Sequence, residues 1–185
     1  MTMKIIRGLS EVYKNYDVFL IDLWGVMHNG IHLYPGAIEV VENLNKLKKR
    51  FVLLSNAPRP SENVKKFLLN LKMDKIFLKN IFTSGEAALK SLQQNKYGKN
   101  FYHLGPKRDN CLFEGFETNK RSLDNADFIL CTGLLDGKEN SLNFYKNLLK
   151  NHTQIKMICT NPDLIVHRGS KKEYCAGTLA EIFKK

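Results

Sequence analysis

An α/β fold is the expectation for this sequence, and three features carry it. Short apolar runs alternate with segments of helical periodicity along the whole chain. Each run ends in a polar or glycine-containing turn: Asp22, Ser55-Asn56, Thr132-Gly133 and Thr160-Asn161. No close repeat or low-complexity linker interrupts the alternation. A strand–helix–strand order implies parallel strands joined by right-handed crossovers. Parallel strands bring their carboxyl ends to one sheet edge, where open α/β sheets bind ligands.

The elements follow in chain order. Residues 8–16 have the pattern of a short amphipathic helix. Residues 18–22 read as a buried strand that delivers Asp22 to a turn at Gly25. This Asp reads two ways, as the cap of a turn or as a nucleophile or metal ligand. Tyr34-Pro35-Gly36 breaks the chain, and a helix beginning near Ala37 places Ile38, Val41, Leu44 and Leu47 on one face. Lys48, Lys49 and Arg50 suit its C-terminal end. A second buried strand covers 51–54, and a helix over 61–71 carries Val64, Phe67, Leu68 and Leu71 inward. Asp22 and Ser55-Asn56 would then share one sheet edge, which favours the functional reading of Asp22. A second unit begins near Ile81, with strands at 100–104, 127–131 and 155–159 and helices at 86–94, 139–150 and from 176 onward. The expected division is a first domain over 1–80 and a second over 81–185.

Composition sets the outer bounds. Of 185 residues, 43% are hydrophobic and 10% aromatic, enough for a packed core. The formal charge of +11 is spread along helix-like segments rather than gathered in one block. That pattern predicts solvated helix faces and steering of anionic substrates, not a nucleic-acid interface. Cys111, Cys131, Cys159 and Cys175 form no CxxC pair, so neither a zinc site nor a disulfide framework is expected, and Cys131 and Cys159 read as small core residues. No run is long enough for a signal peptide or membrane span, and a cytoplasmic protein is the expectation.

Five ordered motifs resemble the haloacid dehalogenase (HAD) superfamily of phosphohydrolases, and more narrowly its class IIA, similar to NagD and pyridoxal phosphatase. They are Asp22-Leu-Trp-Gly-Val26, Val52-Leu-Leu-Ser-Asn56, Phe82-Thr-Ser-Gly85, Cys159-Thr-Asn-Pro-Asp163 and Cys175-Ala-Gly-Thr-Leu179. The resemblance implies a Rossmann-like HAD core, its parallel sheet incomplete here, with an inserted α/β cap of the C2 type. It implies a phosphohydrolase acting on a small phosphorylated metabolite, with Asp22 as nucleophile forming an aspartyl-phosphate. Ser55, Asn56 and Gly25 would bind the phosphoryl group. Mg²⁺ would be held by Asp22 and the Trp24 backbone carbonyl. Asn161 and Asp163 would line the entrance from the cap loop, and a homodimer through the cap is a further expectation.

Two departures qualify these implications. The family's general acid/base, two positions after the nucleophile, is replaced by Trp24, whose indole N–H only donates. His28 is the candidate substitute for proton transfer. The family's later Lys and Gly-Asp motifs have no counterpart before Lys185. The expectation is a truncated chain with apolar sheet edges exposed and an incomplete site, the phosphatase activity belonging to a full-length parent. The alternative is a non-catalytic or weakly active phosphate-binding homologue.

Overall fold

The structure, a computed structural model, describes residues 5–168 and 170–184. They gather into two compact units. The first takes the chain up to Ser55 together with Phe67–Phe82, and the second takes Asn56–Lys66 and the chain from Thr83 onward.

The first unit opens with two 3-10 turns, Leu9–Glu11 and Tyr13–Asn15, where the sequence predicts an amphipathic helix. The pattern spans barely two helical turns, too few to sustain an α-helix without strong packing, and neither turn buries a residue. Strand β1 (Val18–Asp22) pairs in parallel with β2 (Arg50–Ser55), and β3 (Ile81–Thr83) completes a sheet of order β1-β2-β3. Between β1 and β2 runs α1 (Pro35–Lys46). It starts two residues earlier than Ala37 because Pro35 occupies the first turn, where a missing N–H costs nothing. Its inward face buries Val41 and Leu44, and β2 buries Leu53 completely.

Among the described residues, strand β1 lies at the edge of its three-stranded sheet, in line with the expected exposure of apolar sheet edges. Leu20 is 68% exposed and Val18 43%, so the reading of β1 as a buried strand is corrected. An apolar run reports a strand, but only its neighbours decide whether both faces are covered.

In the second unit, β4 (Phe101–Leu104), β5 (Phe128–Cys131) and β6 (Lys156–Cys159) form a parallel sheet of order β4-β5-β6. Side-chain alternation along β5 explains its unbroken apolar run. Ile129 and Cys131 face a cluster that includes Tyr145, Leu149 and Leu179, from helices α4 (Leu142–Leu149) and α5 (Ala176–Phe183). Phe128 and Leu130 face the other cluster, with Ala88 and Leu92 of α3 (Ser84–Gln93) and Leu112 and Phe113 of a 3-10 helix, Lys107–Phe113. A helical layer thus covers each face. The antiparallel hairpin β7 (Ile165–Arg168) and β8 (Lys171–Tyr174) has no antecedent in the sequence reading, because its residues are mostly polar or charged.

Residues 56–66 pack within the second unit. Gly85 N–H donates to Ala57 O (3.1 Å), and Thr83 Oγ1 donates to Arg59 O (2.6 Å). The Ser61 N–H donates to Glu86 Oε2 (3.2 Å). Helix α2 (Ser61–Asn70) therefore begins in one unit and ends in the other. All four cysteines are free thiols, with Cys131 buried and Cys159 half-buried. Among the described residues no helix is long and apolar enough to cross a membrane.

The two apolar environments in the first unit predict opposite outcomes for similar truncations. Leu53→Ala should cost about 2–5 kcal/mol, whereas Leu20→Ala should stay within about 0.5 kcal/mol. Urea unfolding followed by circular dichroism measures both.

Candidate functional site

The β1–β2 register places Asp22 opposite Leu54, so Asp22 and Ser55 leave the sheet at the same edge, one step apart. Asp22 is exposed and Ser55 half-buried. Asp22 also belongs to the wall of an open, mostly apolar groove of about 410 Å³ shared with Phe19, Ile21, Val26, Met27 and Val40.

The turn after Asp22 is a folded flap rather than a loose loop. Leu23 O accepts from Met27 N–H (2.8 Å) and His28 N–H (3.2 Å), and Gly25 N–H donates to His28 O (2.8 Å). Trp24 is thereby bracketed by a small parallel bridge to His28 in which Leu23 accepts and Gly25 donates. Gly25 adopts φ +80°, which its missing side chain permits. Its part in the site is this turn, since its amide is directed to His28. The Asn29 side chain accepts from Ile31 N–H (2.9 Å) and His32 N–H (3.0 Å), and Tyr34 N–H closes on Met27 O (2.9 Å).

His28 is 3% exposed, not a surface residue of the turn. Its Nδ1 accepts from Gly30 N–H (3.0 Å), which leaves Nε2 as the protonated nitrogen of the neutral ring. The ring meets Trp24 and Phe67 edge-on, each at 5.3 Å between centroids. Burial pushes its pKa below the ordinary histidine value. The Trp24 ring packs over Gly30, where an added Cβ would stand 2.6 Å from the indole Cη2.

In the second unit, Asn56 donates its side-chain amide to the Asp163 carboxylate. Asn161 Oδ1 accepts from Asp163 N–H (3.0 Å), forming an Asx turn. The structure thus brings Asn56, Asn161 and Asp163 together, with Asp163 joined to Asn56 and Asn161 shaping the loop.

Sequence reasoning missed a buried polar chain at the carboxyl edge of the second sheet. His103, the third residue of β4, and Thr132, just beyond β5, are linked Nε2 to Oγ1 at 2.9 Å. Thr132 hydrogen-bonds Asp109, whose Oδ1 accepts from Arg59 Nε at 2.9 Å. Asp109 is 1% exposed, Thr132 4% and His103 5%. Gly105 permits the approach, since a Cβ there would lie 1.9 Å from Thr132 Oγ1. Burial raises the Asp109 carboxyl pKa, against which Arg59 acts. Burial, helped by the Lys120 charge, lowers His103 to about 4. The only sequence signal was Thr132-Gly133 and Gly105-Pro106 at two strand ends.

The parallel α/β sheets and the carboxylate at a strand edge fit one known class of fold, and comparison with known proteins fixes the family. The model of the haloacid dehalogenase-like hydrolases matches residues 19–119, and the chain belongs to that family. A haloacid dehalogenase-like family hydrolase from Brucella suis superposes with a TM-score of 0.87 at 26% identity, covering 97% of this chain and 66% of its own. The p-nitrophenyl phosphatase from Archaeoglobus fulgidus (TM-score 0.67, 19% identity, 90% of this chain and 63% of its own) shares the fold. So does NagD from E. coli K-12 (TM-score 0.65, 20% identity, 91% and 65%). The chain spans just under two-thirds of these structures. It also spans 23% of a Caenorhabditis elegans protein carrying a NipSnap name, to which it is 29% identical over 128 residues.

The histidine in the buried chain predicts an acid-side loss of stability. Unfolded His103 takes its proton near pH 6.5, whereas the folded ring resists until about 4, so the unfolded state binds more protons between them. Stability is complete above the upper value and falls as pH drops through this window, by on the order of 3 kcal/mol in total. His103→Gln should flatten that slope, measured by urea midpoints at neutral pH and at about pH 5.

Proposed function

We propose that this chain carries the nucleophile-bearing part of a phosphomonoester hydrolase, with Asp22 as the attacking group. The observation that supports this reading above others is the parallel register that sets Asp22 and Ser55 at one sheet edge. An Asp22 carboxylate oxygen attacks phosphorus, the ester P–O bond breaks, and the leaving oxygen takes its proton from solvent. Water then attacks phosphorus of the aspartyl-phosphate, releasing inorganic phosphate and restoring Asp22. Ser55 Oγ–H and the Asn56 backbone N–H are assigned to the phosphoryl oxygens, as is the Gly25 turn through the backbone geometry it imposes. Asn161 and Asp163 are assigned to the cap loop, the substrate is assigned as a small phosphorylated metabolite, and dimerisation through the cap remains part of the reading.

Mg²⁺ fits the chemistry of the donors present. Asp22 and the Trp24 carbonyl are hard oxygen ligands, and Mg²⁺ commonly takes one or two carboxylates, with water and substrate phosphate completing its shell. When bound it would neutralise charge on the phosphoryl group. Among the described residues no cluster of three or more His, Cys, Asp or Glu side chains suggests another metal.

Trp24 favours a second reading, a phosphate-ligand-binding homologue with little or no turnover. Its indole cannot exchange a proton near neutral pH. His28 is buried with Nδ1 already accepting, so only Nε2–H remains for the proton transfer assigned to it. The test is phosphate release from an aryl phosphate with Mg²⁺ by the full-length protein. Hydrolysis abolished by Asp22→Asn is expected, and tight binding of the ester without release supports the second reading instead. Trp24→Asp should raise turnover, by a factor approaching about 10²–10⁴ if proton transfer is what Trp24 withholds.

A further inference from the structure

The Pro58-Arg59-Pro60 segment has no part in the chemistry assigned to Asp22 and Ser55, yet its arginine is held unusually firmly. Two prolines restrict the backbone on either side. Gly85 lies so close that a Cβ there would stand 2.2 Å from Arg59 N, and Thr83 Oγ1 donates to Arg59 O at 2.6 Å. The side chain is held at Nε by Asp109 (2.9 Å). Asp109 is itself fixed by Thr132, and Thr132 by His103. Both main chain and stem are therefore oriented before any ligand arrives.

What remains is the terminal fork. Nε is the atom committed to Asp109, while the Arg59 side chain stays 36% exposed. No described residue accepts a hydrogen bond from its two terminal nitrogens. They offer parallel N–H donors matched to two oxygens of a planar or tetrahedral oxyanion. The supporting threonine and histidine belong to the carboxyl edge of the β4-β5-β6 sheet, the edge where open parallel sheets bind ligands. Arg108, whose charge reaches Asp109, adds positive potential.

We propose that Arg59 is an oxyanion-binding residue of the second unit, oriented by Asp109, Thr132 and His103, and that it takes a carboxylate or phosphate group. A staple that merely ties residues 56–66 to the second sheet would need the ion pair but not the exposed fork. Because preorganisation lowers the entropy lost on binding, the fork is better suited to recognition than a mobile surface arginine. The inference is independent of Asp22 chemistry.

The test follows the Arg59 side-chain N–H resonances of the full-length protein by NMR during separate titrations with inorganic phosphate and with malonate. Saturable shifts of the terminal N–H signals are expected with at least one probe, and the stronger response identifies the anion class. Arg59→Lys keeps the charge but loses the fork, and should weaken the preferred probe by about tenfold. Asp22→Asn should leave the Arg59 response unchanged, which separates this site from phosphate binding near the nucleophile. If the Arg59 signals stay unmoved by both probes while the protein is folded, or if Arg59→Lys binds as tightly as the parent, the proposal is overturned. Should Arg59→Lys fail to fold, the titration of the unsubstituted protein still decides.

Discussion

The parallel pairing of β1 with β2 is the constraint on which the rest of the candidate chemistry depends. A carboxylate at the end of one strand is unremarkable alone. It becomes informative because the register sets Asp22 against Leu54 and leaves Ser55 as the next residue out. That register is fixed by side-chain alternation: Phe51 and Leu53 are buried, and a slip of one residue would turn them outward. The apolar core of the first unit thus controls which polar groups meet at its edge. Loss of Leu53 packing would loosen the strand that carries Ser55 as well as lower stability.

How far the sequence revealed this depended on whether a residue's role was local. The strands ending in Asp22, Ser55 and Cys131 were legible because apolar runs ending in turns carry a strong signal. Two features were not. The exposure of Leu20 on an edge strand depends on which neighbours flank β1 in the sheet, and strand order is not written in periodicity. The hairpin of β7 and β8 escaped because Lys171, Lys172 and Glu173 resemble a solvated loop, although their backbones pair with 165–168. The chain at 8–16 failed in the opposite direction, since amphipathic spacing over so few residues does not secure an α-helix.

Within the second unit the hidden element was Asp109. In Lys107-Arg108-Asp109-Asn110 it reads as part of a charged surface run, yet it is 1% exposed. Burying a carboxylate is costly unless its oxygens are occupied and its charge is matched. Arg59 meets the charge and Thr132 supplies a second hydrogen bond, from positions 50 and 23 residues away in sequence. Only Gly105 leaves room for Thr132 to reach inward beside His103. Proximity in space, not spacing in sequence, makes this network, so no motif could announce it.

Trp24 shows how one position can exchange chemistry for structure. Its ring covers Gly30 and abuts His28, and the backbone on either side of it closes the bridge that folds the flap. An aspartate there would gain a titratable group but lose the packing against Gly30, whose φ of +86° leaves little tolerance for a larger residue. The same packing isolates His28, so the flap that steadies the turn after Asp22 also keeps its own imidazole neutral and shielded. Proton delivery from solvent to the leaving group is slow when that group is a poor one and matters little when it is a good one. In the proposed phosphatase reading, the absent carboxyl at position 24 therefore weighs most on esters with poor leaving groups.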